Sequence, residues 1–170
     1  MVMQIAVIGK EECTGEEYEA ARKAGALIAG KGAILCCGGR GGVMEAACRG
    51  AREAGGMTVG ILPDTGSGNP PQRGPIPPGR SRLPSGPGNP YLDVAIRTGM
   101  GYGRNVILVH TGDAVVAIGG GYGTLSEIAI ALKARKEVFG YRTWDIAGVV
   151  PCSTPEEAIT RAVAAAGRSG

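Results

Sequence analysis

The chain has 170 residues, a net charge of +3 and 31 glycines, but only five Tyr, one Phe and one Trp. This length suits a single domain spanning residues 1–170, with no room for a second core of comparable size. The modest charge without a clustered basic face, together with so few aromatic rings, excludes a nucleic-acid partner from our expectations.

Short runs rich in Val, Ile and Leu alternate with helical patterns, which is typical of βαβ units and a parallel sheet. We therefore predict an α/β fold: a Rossmann-type, doubly wound parallel sheet of six or seven strands with helices on both faces. In chain order the predicted elements are strand 4–9, helix 16–29, strand 33–37, helix 42–54, strand 57–62, a weaker strand 93–97, helix 101–109, strand 114–119, helix 124–136, strands 138–141 and 148–151, and helix 154–167.

One segment interrupts this alternation. Between residues 63 and 90, 15 of 28 residues are Gly or Pro, which we interpret as a loop inserted into the domain. Two roles remain open for it. It is either a mobile or partly extended insertion, or a lid over a ligand site, where Arg73, Arg80 and Arg82 would reach an anion.

Cysteine usage and the terminus bear on the compartment. The five cysteines are odd in number and no CxxC occurs, which favours free, mostly buried thiols over a disulfide framework or a zinc site. No basic leader precedes the first strand, and no apolar stretch reaches 18 residues. We therefore expect a cytoplasmic protein with no metal and no membrane partner.

Two similar glycine-rich segments each follow an apolar strand and open a helix. The first glycine turn is residues 38–42, at the start of the sequence GGRGGVME. The second glycine turn is residues 120–124, at the start of GGYGTLSE, 82 residues further along the chain. Each pattern predicts bare backbone at a strand-to-helix turn and a carboxylate, Glu45 or Glu127, in the first helical turn. The candidate ligand-binding residues are Gly38, Gly39, Gly41, Gly42, Gly120, Gly121, Gly123 and Thr124.

The physics of these turns favours an anion. The first N–H groups of a helix lack intrahelical acceptors, its N-terminus is partly positive, and glycine lets the backbone approach a phosphate. A structural interpretation stays open: tight helix packing, with residues 124–127 forming a capping box. The first βα turn, residues 8–12, contains no GxGxxG, which disfavours a conventional dinucleotide dehydrogenase.

With these motifs the chain resembles the LOG family, long misannotated as "lysine decarboxylase". Residues 119–124 with Glu127 resemble its PGGxGTxxE signature, residues 38–45 resemble its upstream glycine motif, and residues 99–105 resemble its arginine-bearing helix start. The likeness runs from the first strand to the last helix. It is closer to the branch that includes molybdenum-cofactor carrier proteins.

The resemblance implies an activity and a site. LOG enzymes hydrolyse the N-glycosidic bond of cytokinin riboside 5′-monophosphates, as homodimers with sites near the subunit interface. The implied catalytic pair is Arg104 and Glu127, with the phosphate at the second glycine turn. No cofactor is implied, and the ligand would be a nucleoside monophosphate or a related phosphate-bearing molecule.

Two departures from the family pattern separate two functions. Gly119 replaces the signature proline, which we expect at most to loosen the turn, and Asn105 replaces the lysine that usually follows the arginine. The retained Arg104 and Glu127 favour a phosphoribohydrolase. The departures and the inserted loop favour a non-catalytic carrier or sensor of a nucleotide or molybdenum-cofactor type ligand.

Other polar residues carry weaker expectations. We expect a structural role for His110, the only histidine, and packing for Trp144. Glu45 is either a second carboxylate of the site or a first-turn acid. Arg40 either contacts a phosphate or is an exposed arginine.

Overall fold

The computed structural model describes residues 2–64 and 88–168. Within those ranges seven strands alternate with five α-helices and one short 3₁₀ turn. In chain order the elements are β1 (Gln4–Gly9), α1 (Gly15–Gly30), β2 (Ile34–Cys37), α2 (Val43–Glu53), β3 (Thr58–Leu62), β4 (Val94–Arg97), the 3₁₀ turn (Gly101–Gly103), α3 (Arg104–Thr111), β5 (Ala114–Ile118), α4 (Tyr122–Lys133), β6 (Val138–Tyr141), β7 (Val149–Pro151) and α5 (Pro155–Ala166).

The strands form one sheet in the order β4-β3-β2-β1-β5-β6-β7, and every neighbouring pair is parallel. The predicted Rossmann-type, doubly wound α/β class is confirmed, including the weaker strand 93–97, which is edge strand β4. The strand order changes direction between β1 and β5. Ligands of open α/β sheets bind at such a switch point, outside the carboxyl ends of the strands.

Alternating side chains of the central strands explain the nearly unbroken apolar runs. Ile5 and Val7 of β1 face a core shared with α1, α2 and α5, whereas Ala6 and Ile8 face a second core with α3 and α4. All four are buried, because helices cover both faces of the sheet. This packing holds β1 and β5 rigidly side by side and so fixes the position of the switch point.

Capping residues set most of the helix starts. Thr14 and Glu17 form a capping box at α1, and Thr154 caps α5 ahead of Pro155, as the sequence predicts for α5. The capping box predicted for residues 124–127 is wrong. Gly121 is the N-cap of α4, so Thr124 already lies inside the helix and cannot cap it. The predicted helix 101–109 divides into the 3₁₀ turn and α3.

The inserted loop predicted at 63–90 falls largely outside the described residues, since 65–87 are not described, so its role stays a prediction. The five cysteines are free, and four of them are buried, as expected. In the part of the chain that the structure describes, no helix is both long and apolar enough to cross a membrane.

Candidate functional site

A cleft of about 370 Å³ opens at the carboxyl edge of the sheet, beside the switch point between β1 and β5. Four segments of chain line it: the β1–α1 turn, the first turn of α2, the start of α3, and the second glycine turn with α4. The lining residues are Gly9, Lys10, Glu11, Met44, Tyr102, Arg104, Asn105, Gly121, Gly123, Thr124 and Glu127.

A larger groove of about 620 Å³ crosses α1 on one helical face of the molecule. The charged side chains that line it are already held in ion pairs, as in the one between Arg22 Nη2 and Glu53 Oε2 at 2.6 Å. It runs along α1 and contains neither glycine turn nor the switch point between β1 and β5. We therefore take the smaller cleft at the switch point as the candidate site.

Gly119 shapes the entry to the second glycine turn. Its φ of +61° is in the left-handed region, and its N–H donates to the carbonyl of Tyr141 at 3.1 Å. Any Cβ at this position would lie 2.5 Å from Oε1 of Glu17. The signature proline of the LOG family can adopt neither this dihedral angle nor this hydrogen bond. Gly119 therefore gives the turn a geometry that proline could not adopt. This is a larger change than the loosened turn that the sequence predicts.

The second glycine turn leaves the start of α4 open to the cleft. No side chain caps the helix, and a Cβ built on Gly123 meets no atom within 4 Å. Thr124 is only 2% exposed, yet its Oγ1 has no hydrogen-bond partner among the described residues. The N-terminus of α4 therefore presents unsatisfied donors to whatever enters the cleft.

Arg104 and Glu127 meet at the floor of the cleft, as the family resemblance implies. Nη1 of Arg104 lies 3.7 Å from Oε1 of Glu127, and both residues are more than nine-tenths buried. At this distance the two side chains form an ion pair but are too far apart for a hydrogen bond. Nη1 of Arg104 has no hydrogen-bond partner in residues 2–64 and 88–168. The guanidinium packs on Gly38, where a Cβ would lie 2.3 Å from Nη1.

Burial dominates the ionisation of Glu127. Desolvation raises the pKa of this carboxyl to about 7, and the charge of Arg104 only partly opposes the increase. Glu127 is therefore close to half-protonated at neutral pH. It lies in the second turn of α4, which begins at Tyr122, so the prediction of a first-turn carboxylate is wrong for Glu127 and right for Glu45.

The first glycine turn is closely packed against neighbouring residues and leaves little open space beside its backbone. A Cβ on Gly39, where φ is +70°, would lie 2.5 Å from Leu62, and one on Gly42, where φ is +63°, would lie 2.1 Å from the carbonyl oxygen of Glu11. Only Gly41 has space beside it. The two glycine turns lie at the same edge of the sheet. The guanidinium of Arg104 covers Gly38, so Arg104 lies between the first glycine turn and the cleft. A direct ligand contact by these glycines stays a prediction.

The β1–α1 turn contributes charged residues that sequence reasoning missed. Lys10 and Glu11 line the cleft, with Lys10 Nζ 3.1 Å from Oε1 of Glu17. Glu11 accepts a 2.7 Å hydrogen bond from Arg40 Nε. The side chain of Arg40 is mostly buried, so the alternative of an exposed arginine is wrong. This turn contains no GxGxxG or other binding motif. Its position after the first strand of the sheet is the signal that identifies it.

Asn105 braces the second glycine turn from α3. Its Nδ2 donates to Ser126 Oγ at 2.9 Å, and Ser126 Oγ donates to the carbonyl of Gly123 at 2.7 Å. Trp144 holds the same turn from the other side, because its Nε1 donates to the carbonyl of Gly121 at 3.2 Å. Gly120 makes room for this ring, as a Cβ there would lie 2.8 Å from the indole.

The remaining candidates lie outside the cleft. His110 is exposed in the last turn of α3. Glu45 is partly buried in the first turn of α2 and does not line the cleft, so a role as a second carboxylate of the site stays a prediction. Across the described ranges, no three His, Cys, Asp or Glu side chains group in a way that would hold a metal ion.

The chain is similar to proteins of known structure over nearly its whole length. A molybdenum cofactor binding protein from Rippkaea orientalis is 35% identical, with a TM-score of 0.80, 96% of this chain covered and 97% of that one. A Moco carrier protein from Chlamydomonas reinhardtii is 30% identical, with a TM-score of 0.79 and 99% of each chain covered.

Sequence comparison gives a relative and a family. An uncharacterized protein from Archaeoglobus fulgidus is 45% identical over 159 residues, which cover 93% of each chain. The structural similarities confirm the resemblance to the carrier-like branch of the LOG superfamily. The SLOG cluster4 family model matches residues 2–166, and the chain therefore belongs to the SLOG cluster4 family.

Proposed function

We propose that the cleft binds the phosphate group of a nucleotide-like small molecule at the N-terminus of α4. One observation carries the proposal: Thr124 Oγ1 and Arg104 Nη1 are buried beside the same cleft without hydrogen-bond partners in the described part of the chain. Because buried polar groups in native proteins are nearly always paired, two orphaned donors at one opening indicate a ligand that pairs with them.

The charges around the cleft suit a phosphate. The uncapped N-terminus of α4, Arg104 and Lys10 supply positive potential, and the nearby carboxylates are held in ion pairs, Glu17 with Lys10 and Glu11 with Arg40. Glu127 would repel an anion when it is ionised, but its raised pKa keeps much of it neutral near pH 7. A phosphate oxygen that replaced Glu127 as the partner of Arg104 would satisfy the unpaired Nη1 with a charge-assisted hydrogen bond.

Carriage without turnover is the function we favour. The solved proteins from Rippkaea orientalis and Chlamydomonas reinhardtii, a molybdenum cofactor binding protein and a Moco carrier protein, cover almost all of this chain. Asn105, where LOG enzymes have a lysine, is used as a brace for the second glycine turn. We therefore propose a carrier or sensor whose ligand is of the molybdenum-cofactor type, with a phosphate attached to a heterocycle.

The Arg104–Glu127 pair supports a second candidate, an N-glycosidic hydrolase. In that reaction the bond between C1′ and the base nitrogen breaks, with its electron pair leaving on the base. A water oxygen bonds to C1′, and one water proton passes to the base. Ionised Glu127 would stabilise the oxocarbenium-like sugar or orient the water. Arg104 stays charged, so it would fix the phosphate or the leaving base.

A ligand panel tests both candidates. Purified protein is titrated by calorimetry with AMP, GMP, isopentenyl-AMP and molybdenum cofactor, and free base is followed by chromatography. Binding without base release supports the carrier. Base release that disappears in E127A, while the exposed-surface control E19Q keeps it, supports the hydrolase. If no member of the panel binds or reacts, the phosphate site is refuted.

A homodimer stays part of the proposal because the resemblance implies one. Light scattering on the eluted protein, with and without ligand, measures the assembly directly. A monomer at all concentrations would remove this part and leave the cleft, which is built from a single chain, unaffected.

A further inference from the structure

The exposed aromatic side chains are all gathered in one place. The structure describes all seven aromatic residues of the chain. Tyr122 is 86% exposed, Tyr102 is 64% exposed and Trp144 is 37% exposed, whereas the other four are partly or fully buried. Tyr102 lines the cleft, Tyr122 belongs to the second glycine turn, and Trp144 is hydrogen-bonded to that turn. In a chain with so few aromatics, this grouping calls for a physical reason.

Trp144 is fixed in place rather than loosely exposed. Its Nε1 donates to the carbonyl of Gly121, and its ring edge occupies the space left by the missing Cβ of Gly120. The indole is therefore held against the backbone of the turn that we assign to the phosphate. A rigid ring at this position loses little conformational entropy when something stacks near it.

Tyr122 extends this surface toward solvent. Its ring stacks on Trp144, with centroids 6.3 Å apart and an interplanar angle of 28°. Tyr122 is the first residue of α4, so its ring stands beside the helix N-terminus that we assign to the phosphate, outside the residues that line the cleft itself. Tyr102 borders the cleft from the α3 side.

We propose that Tyr122 and Trp144 form an aromatic shelf that stacks the flat heterocycle of the ligand and makes the site select ring-bearing phosphates over bare sugar phosphates. Tyr102 bounds the ring from the opposite side. The inference rests on the proposed phosphate site. Purine and pterin rings share the flat aromatic chemistry that such a shelf recognises, since stacking on Tyr or Trp tolerates any π-face.

The test separates ring binding from phosphate binding. Calorimetry measures the Kd of AMP and of ribose 5-phosphate for wild type, Y122A, Y122F and the control V94A, which trims an exposed apolar side chain on edge strand β4. Loss of one base–aromatic stack costs about tenfold or more in affinity. We expect Y122A to weaken AMP by about that factor with ribose 5-phosphate unchanged, and Y122F and V94A to retain wild-type affinity for both.

Three outcomes would overturn the shelf. One is a Y122A protein that binds AMP and ribose 5-phosphate as tightly as wild type does. Another is equal weakening of both ligands, which would mean damage to the turn. The third is a change only in assembly by light scattering, which would make the shelf a contact between protein chains. A wild type that binds neither ligand refutes the phosphate site itself, which is a distinct result.

Discussion

Replacing Glu127 by glutamine should stabilise the protein, and more so as the pH rises. Glu127 is more than nine-tenths buried, and its only charged partner in the described structure, Arg104, lies 3.7 Å away. Burial raises the pKa of this carboxyl from 4.5 to about 7. The ionised form is therefore less stable in the folded chain than in water, in spite of Arg104.

The size and direction follow from proton linkage. The difference between 4.5 and about 7 corresponds to about 3 kcal/mol. Because the folded state binds the proton more tightly, the contribution of Glu127 is most favourable below pH 4.5. It declines as the pH rises from 4.5 through 7 and is constant above about pH 8. Glutamine resembles the protonated carboxyl and shows no such decline.

Chemical denaturation from pH 4.5 to pH 8.5 measures this directly. We expect the stability advantage of E127Q to grow from near zero at pH 4.5 to about 3 kcal/mol at pH 8. E19Q removes a carboxylate that is exposed on α1 and should stay within about 0.5 kcal/mol of wild type. An E127Q protein that is less stable than wild type at pH 8, or whose advantage does not vary with pH, would refute the reasoning.

Two further predictions concern the turns. G42A should lower the free energy of unfolding by about 2 kcal/mol or more, because φ is +63° and the new Cβ would lie 2.1 Å from the Glu11 carbonyl oxygen. G30A, at an open helix end, should raise it slightly. Thermal unfolding of both variants checks this, and equal stability of the two would contradict it. T124V removes a buried, unpaired hydroxyl, so it should leave stability near wild type but weaken AMP binding about tenfold by calorimetry; unchanged affinity would mean that Thr124 does not contact the phosphate.

Fold and element order were predictable because they depend on local patterns. Apolar runs, capping residues and glycine positions each act over a few residues, and together they require a doubly wound parallel sheet. The start of α4 was less accessible. Thr124 and Glu127 fit a capping box in sequence, but Gly119 turns the chain into the helix early, so Gly121 takes the cap position instead.

The sequence motifs predicted which residues form the site, but not how deeply its charged side chains are buried or how they ionise. Glu127 and Arg104 were identified from the family signature, but their burial, and with it the raised pKa of Glu127, depends on packing across α3 and α4. Lys10 and the Trp144 contact to Gly121 join residues far apart in the chain. Such contacts follow from the strand order of the sheet, which no local pattern contains.

An amide NMR titration with AMP tests the central claim most directly. The claim predicts that the N–H signals of Gly121, Gly123 and Thr124 shift most and that inorganic phosphate competes with the effect. Largest shifts around the groove that contains Arg22 and Glu53, with the second glycine turn unaffected, would contradict it.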